Sequence, residues 1–237
     1  LCYAERPVGP SDRRTMPRLL LLLLVLAVPF GGGRASGAEL SGRLQLTGKT
    51  ASTSPSEAVV YFEPERPVAA KPQNKVMAMA TRGKAFDPRV LVVTRGSTVS
   101  FPNHDPILHN VFSVSPGNRF DLGFYRNGET KSWTFESAGL VRVFCNVHYS
   151  MQAYIVVLDT PFFAIPDGQG NFRLEGLPPG GGTLRVWHDS ARPWRREIRV
   201  PADMPSVIEI EVSRRRVVPH TNKHGKPYER RGRNEYR

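Results

Sequence analysis

The chain has 237 residues, enough for one large domain or two small ones, and 40% of its residues are hydrophobic. Its formal net charge is +12, but residues 214–237 alone hold nine Lys or Arg against two acidic residues, and residues 39–213 are nearly neutral. The charge is therefore no argument for a fold that binds nucleic acid, and we predict no nucleic-acid partner.

A leucine-rich run of ten residues, 19–28, follows Arg13, Arg14 and Arg18. The run is too short to span a bilayer, and it leads into small residues that end at Ala38. This order is typical of an export signal, so we predict that residues 1–38 are removed and that the protein is periplasmic or exported. An uncleaved membrane anchor, and a start at Met16, stay open as alternatives.

Downstream of the signal, the chain is a succession of short apolar runs separated by turn residues. Several runs alternate apolar and polar positions, which indicates strands with one buried face, and no stretch has convincing helical periodicity. We therefore predict an all-β protein with a Greek-key sandwich. The predicted strands of this part are residues 59–62, 76–81, 90–94, 98–101, 109–114, 131–135, 141–145 and 153–158.

Cys145 is the single cysteine that remains once the signal is removed, so an internal disulfide is excluded. Taken alone it fits a buried structural cysteine. However, His148 and Met151 follow it at short spacing, and His109 lies upstream. A thiolate, two imidazoles and a thioether are the ligand set of a blue-copper site, because soft sulfur suits Cu(I) and imidazole suits both copper states. The predicted ligands of one type 1 site are His109, Cys145, His148 and Met151.

His104 is the rival for the upstream ligand. It lies in the turn sequence Asn103-His104-Asp105-Pro106, so we expect it to be exposed.

Residues 86–158 resemble a cupredoxin of the plastocyanin and amicyanin kind. The segments that carry the resemblance are 86–88, 96–103, 109–112 and 145–151. The Cys-x2-His-x2-Met spacing is closest to that of amicyanin. One departure is Tyr149, which stands where the short-loop proteins usually have proline, and it bears on loop rigidity and redox potential. The resemblance implies that Asn110 hydrogen-bonds across to the Cys145 loop, with Asn103 in a supporting role.

The function implied by this resemblance is that of an exported blue-copper protein, of the kind associated with methylamine utilisation. It would carry single electrons between redox partner proteins and would not be an enzyme. A multicopper enzyme needs further histidine pairs, and the sequence has no His-x-His. The alternative is a copper carrier or a binding module without an electron-transfer role. The resemblance places electron exchange at His148, and we predict an apolar rim of Pro106, Ile107, Tyr149 and Met151 around it.

A second unit resembles the prealbumin-like sandwich of carboxypeptidase regulatory domains. A Gly-rich turn at 167–171 introduces a Phe-x-Leu strand, and a Leu-Pro-Pro-Gly turn introduces the strand at 183–188. Further strands are predicted at 198–200 and 207–212, and residues 40–46 and 58–62 match the opening strands of that pattern. We therefore predict a discontinuous sandwich, 39–68 and 159–213, into which the cupredoxin domain, 72–158, is inserted. The alternative is two consecutive domains, with 39–68 supplying the first cupredoxin strands.

The basic tail, residues 214–237, contains Pro and Gly and almost no core-forming residues. We predict that it is disordered. It is either a solvated segment without a role or a device that steers the protein toward an acidic partner or an anionic membrane surface.

Overall fold

The structure is a computed structural model that describes residues 37–48, 53–213 and 219–228. Within these ranges it contains seventeen strands and one short 3-10 helix, Pro55–Glu57. The prediction of an all-β protein is confirmed. The predicted signal, apart from its last two residues, lies outside the described residues. In the described part of the chain no helix is long and apolar enough to cross a membrane.

The first nine strands are β1 (Ala38–Thr47), β2 (Val59–Pro64), β3 (Met77–Ala78), β4 (Ala80–Arg82), β5 (Ala85–Asp87), β6 (Val90–Thr94), β7 (Thr98–Pro102), β8 (His109–Ser115) and β9 (Asn118–Tyr125). The remaining eight are β10 (Thr130–Thr134), β11 (Gly139–Cys145), β12 (Gln152–Leu158), β13 (Phe163–Ala164), β14 (Asn171–Leu177), β15 (Gly180–Trp187), β16 (Trp194–Val200) and β17 (Val207–Glu211).

One β-sandwich is formed by the strands between β3 and β12. A five-stranded sheet, in the order β6-β12-β11-β8-β9, faces a three-stranded sheet, in the order β10-β7-β3. Alternate side chains of the two sheets meet in one core, for example Phe101 on β7 with Val143 on β11 and Ile155 on β12. Cys145 and Met151 belong to the same core, so two of the predicted ligands are part of the packing that holds the sheets together.

A second β-sandwich pairs a three-stranded sheet, β14-β1-β17, with a four-stranded sheet, β13-β2-β15-β16. Its core includes Leu44, Phe62, Leu174 and Leu184. Both β1 and β2 pair with strands that follow residue 162, and within the described ranges neither pairs with any of β3–β12. We therefore propose the discontinuous division expected from the sequence, with 39–68 and 159–213 in one domain and 72–158 inserted as the other.

Strands β6 and β12 are buried along their whole length. On β6, Leu91 and Val93 face the core of the first sandwich, whereas Val90 and Val92 pack in a separate cluster with Val59 of β2. The two sandwiches therefore share a packed contact on this side. Burial on both faces explains why these two strands are uniformly apolar in sequence instead of alternating.

Charged groups border this contact. Arg89 forms an ion pair with Asp189 at 2.5 Å, lies 3.8 Å from a carboxylate oxygen of Glu57, and stands over the ring of Tyr154. His188 is 2% exposed beside the same carboxylates. Because the Arg89 guanidinium already compensates both carboxylates, this group acts as an ion-pair network between the sandwiches.

Most of the predicted strands are confirmed, and their ends agree within a few residues. The run 76–81 is instead divided between β3, which pairs with β7, and β4, which pairs with β5. Three strands were missed: β5, β9 and β13. Strand β9 contains Asp121 and Gly123, which have low strand propensity, and it exists because it pairs along β8.

The basic tail differs from the expectation of disorder. Residues 219–228 lie on the first sandwich, where the ring of His220 stacks against Phe144 and Tyr149. The average composition of the tail does not reveal this packing, because the contacts with the first sandwich come from a few aromatic side chains. Residues 214–218 and 229–237 lie outside the described residues.

Candidate metal centre

Two neighbouring strands bring the distant ligand candidates together. His109 is the first residue of β8, and Cys145 is the last residue of β11. The two strands are antiparallel neighbours, with Cys145 paired to Val111. His148 lies on the loop 146–151, which connects β11 to β12, so the turn of this loop returns it toward Cys145.

The sulfur of Cys145 lies 3.6 Å from Nδ1 of His109 and 3.7 Å from Nδ1 of His148. The three atoms are all within 4.8 Å of one another. Bonds of about 2.0 Å to nitrogen and about 2.3 Å to sulfur, as in zinc sites, separate the two ligand atoms by about 3.5–3.7 Å at bond angles of about 110–120°. The observed separations therefore fit three ligands of a single metal ion.

Met151, the last residue of the loop 146–151, is anchored in the core of the first sandwich. It is 1% exposed and packs in the core with Cys145. Its backbone N–H donates to the carbonyl of His148 at 3.0 Å, and its own carbonyl accepts from the N–H of Cys145 at 3.3 Å. These bonds hold the start and end of the loop together. The role of its thioether as a long axial ligand stays a prediction.

The surroundings of Cys145 favour a thiolate. Burial alone would raise the pKa of the thiol, but hydrogen bonds from His109 and His148, and from the backbone N–H groups of Asn110 and Val147, lower the pKa to about 6. A thiolate is the form of cysteine that binds metals. The protein therefore stabilises the ligand form of this side chain before any metal arrives.

Asp105 holds the ring of His109 through Nε2, the nitrogen that does not face the Cys145 sulfur. Its Oδ2 lies 2.8 Å from Nε2 of His109, and its carboxylate accepts from the N–H groups of Gly83 and Lys84. Burial alone would raise the pKa of Asp105, but these hydrogen bonds lower it. Burial would likewise lower the pKa of His109, but Cys145 and Asp105 raise it. A carboxylate on the far nitrogen orients an imidazole so that its other nitrogen faces the ligand position.

The sequence reasoning missed Asp105. It lies in the turn sequence Asn103-His104-Asp105-Pro106, and its place four residues before His109 does not by itself indicate a contact with that ring. His104, one position earlier, is exposed as predicted, and its backbone N–H donates to the carbonyl of Thr81.

Asn110 contacts the ligand loop through its backbone. Its side-chain amide donates to Asp121 at 2.6 Å, so the side chain is directed to β9 instead of the loop. Its carbonyl accepts from the N–H of Asn146 at 3.2 Å, and its N–H donates to the sulfur of Cys145. Main-chain groups of Asn110 therefore link the two segments that carry the ligand candidates.

Asn103 organises the segment before His109. It is fully buried, and its Oδ1 accepts from the hydroxyl of Thr81 and from the N–H of Asp105. Its amide donates to the carbonyls of Ile107 and Tyr125. These four bonds set the path of the chain that carries Asp105 into contact with His109.

The surface next to the site is partly apolar. Tyr149 is 42% exposed, Pro106 is exposed and Ile107 is half-buried. Met151 is buried and is not part of this surface, contrary to the expectation, because it packs inward. Leu108, which the sequence reasoning did not include, is 47% exposed.

Comparison with known proteins gives only distant structural similarity. The chain matches no protein-family model and no curated protein. A purple cupredoxin from Nitrosopumilus maritimus is 21% identical over 35% of this chain and 99% of its own, with a TM-score of 0.31. A reduced mutant of amicyanin is 23% identical over 42% of this chain and 98% of its own, with a TM-score of 0.34. A second reduced amicyanin mutant is 24% identical at the same coverage, with a TM-score of 0.33.

The pKa of Cys145 gives a prediction for the metal-free protein. We expect the ultraviolet absorbance of the thiolate to appear with a midpoint near pH 6, well below the ordinary thiol value of 9.0, because the neighbouring donors stabilise the anion. The fraction of thiolate increases as the pH rises through this value. The Cys145→Ser variant is the control for other absorbing groups. A midpoint near the ordinary value would contradict the described environment.

Proposed function

We propose that this chain is an exported type 1 copper protein of the cupredoxin kind, which carries single electrons between redox partner proteins. The observation that supports it most is the convergence of the Cys145 sulfur with the Nδ1 atoms of His109 and His148 at separations that one ion bridges. A bound copper ion would supply a one-electron Cu(I)/Cu(II) couple.

The donor set favours copper over zinc. A thiolate and two imidazoles suit either metal, and the distances alone do not separate them. The fourth candidate is Met151, whose thioether is a soft, weak donor typical of blue-copper sites and foreign to structural zinc sites. Its burial beside Cys145 in a shared core supports this assignment.

The burial of the ligands favours an electron carrier over a metal carrier. Cys145 and His109 are fully buried, and Asp105 orients the His109 ring. Only His148 is partly exposed among the four candidates. Buried ligands of this kind cannot readily move to release the metal to another protein. Electron transfer instead requires that the ligands move little when copper changes between Cu(I) and Cu(II). Four protein ligands also leave no open position for a substrate, so we propose that the protein is not an enzyme.

The exposed apolar side chains beside the loop support a weak, transient contact with partners. Leu108, Pro106 and Tyr149 are exposed side chains within three positions of His109 or His148 in the sequence. We propose that redox partners contact this surface near His148. The basic residues of 214–237 would add attraction toward an acidic partner or an anionic membrane surface.

The first test is copper binding with redox cycling. We expect the protein to bind one equivalent of Cu(II), to develop an intense visible absorption, and to lose and regain it reversibly on reduction and oxidation. The Cys145→Ala variant should lack the absorption, because the thiolate is its source, and His224→Ala, at an exposed histidine, should keep it. A colourless complex, or colour that does not return after one cycle, would favour the metal carrier instead.

The second test concerns the apolar surface. We expect Leu108→Glu to slow electron self-exchange between copies of the protein by at least about tenfold, because like charges then oppose each other in the contact. The rate can be measured by NMR on mixtures of reduced and oxidised protein. The matched control is Ile165→Glu, at a position 41% exposed between β13 and β14. Equal rates for both variants, with unchanged absorption, would refute the docking surface.

A further inference from the structure

Residues 219–228, which we call the strap, lie on the loop that carries two of the ligand candidates. The ring of His220 lies 4.0 Å from that of Phe144, at an interplanar angle of 16°, and 4.6 Å from that of Tyr149, at 4°. Phe144 immediately precedes Cys145, and Tyr149 immediately follows His148. One stacked ring of the strap therefore joins the neighbours of two ligand candidates.

Tyr228 bonds to the backbone of a ligand candidate itself. Its hydroxyl donates to the carbonyl of Cys145 at 2.9 Å. Its half-buried ring also packs edge-on against Tyr149 at 5.3 Å and against His220 at 5.2 Å. The Cys145 carbonyl begins the link to the loop, so this bond fixes the direction in which the chain leaves β11.

Lys223 holds the centre of the strap. Its backbone N–H donates to Oδ1 of Asn146 at 3.0 Å, and its Nζ lies 2.8 Å from a carboxylate oxygen of Asp121. Asp121 in turn accepts from Asn110, next to His109. The side chain of Lys223 is 16% exposed and that of Asp121 is 42% exposed, so the ion pair is shielded from water mainly on the lysine side.

The strap also has a defined shape of its own. Asn222 and Lys226 share a backbone bond of 2.8 Å, and Oδ1 of Asn222 accepts from the N–H groups of His224 and Lys226 at 3.0 Å. This turn lies between His220 and Tyr228 and brings their rings into contact. A turn with this many hydrogen bonds supports a specific contact between the strap and the loop, instead of the disorder expected from the composition of a basic tail.

We propose that His220, Lys223 and Tyr228 of the strap belong to the metal centre and that Tyr228 is a positioning residue for Cys145; this inference rests on the proposed function. The loop is otherwise held by backbone bonds from Cys145, Asn146 and Met151. The strap adds a hydrogen bond from Tyr228, an amide contact with Asn146 and an aromatic stack of His220. Contacts outside the ligand shell set ligand orientation, metal retention and potential. The strap therefore slows copper loss and sets the reduction potential.

The test uses two variants of the full chain, Tyr228→Phe and His220→Ala, each loaded with copper. We expect transfer of Cu(I) to a chelator to become about tenfold faster in each, accompanied by a shift in reduction potential and in the visible absorption maximum. Tyr61→Phe, in the second sandwich, controls for loss of a hydroxyl, and His224→Ala controls for loss of an imidazole within the strap. Both controls should stay within about twofold of the wild-type rate.

A measurement on the metal-free protein separates the strap from the proposed function. We expect amide hydrogen exchange of residues 146–151 to be about fivefold faster in Tyr228→Phe than in the wild type, while exchange of β14 and β15 stays unchanged. The strap proposal is overturned if hydrogen exchange of the loop is unchanged in Tyr228→Phe. It is also overturned if Cu(I) transfer to the chelator, the reduction potential and the absorption maximum are all unchanged in both strap variants. Neither result affects the proposed function, because the wild-type protein would still be blue. Faster loop exchange in a protein that binds no copper would show that Tyr228 holds the loop, but it would overturn the copper function and, with it, the role of the strap in a metal centre.

Discussion

The placement of the Cys145 sulfur between two imidazole nitrogens is the constraint on which the rest of the structure depends. Burial of a thiolate is unfavourable unless donors surround it, and here imidazoles and backbone N–H groups provide them. This environment requires β8 and β11 to be neighbours, because Asn110 and His109 then face Cys145. The order of strands in the five-stranded sheet is therefore a condition for the site as well as for the core.

The two halves of the site differ in how they are held. His109 and Cys145 belong to strands, and Asp105 fixes the first ring, so these groups have the rigidity of the sheet. His148 belongs to a loop instead of a strand, and the strap packs on that loop from a distant part of the chain. A preorganised site built partly on a loop needs such outside support to keep its geometry within narrow limits.

The strands and the ligand candidates could be predicted because their signals are local. Alternation over a few residues indicated the strands, and the spacing from Cys145 to Met151 indicated the site. Asp105 and Tyr228 could not be found this way, because their roles depend on which distant groups they meet. Asp105 needs the amides of Gly83 and Lys84, and Tyr228 needs a carbonyl that is 83 positions away. Composition also concealed the strap, since a few stacked rings outweigh the average of a basic segment.

X-ray absorption at the copper edge of the loaded, full-length protein tests the proposed ligand set directly. We expect a nearest shell of one sulfur and two imidazole nitrogens, which come from Cys145, His109 and His148. Replacement of Cys145 by Ser should remove the sulfur from that shell. A wild-type shell that contains only nitrogen and oxygen would contradict the proposed copper site, because copper would then be bound somewhere other than the buried thiolate.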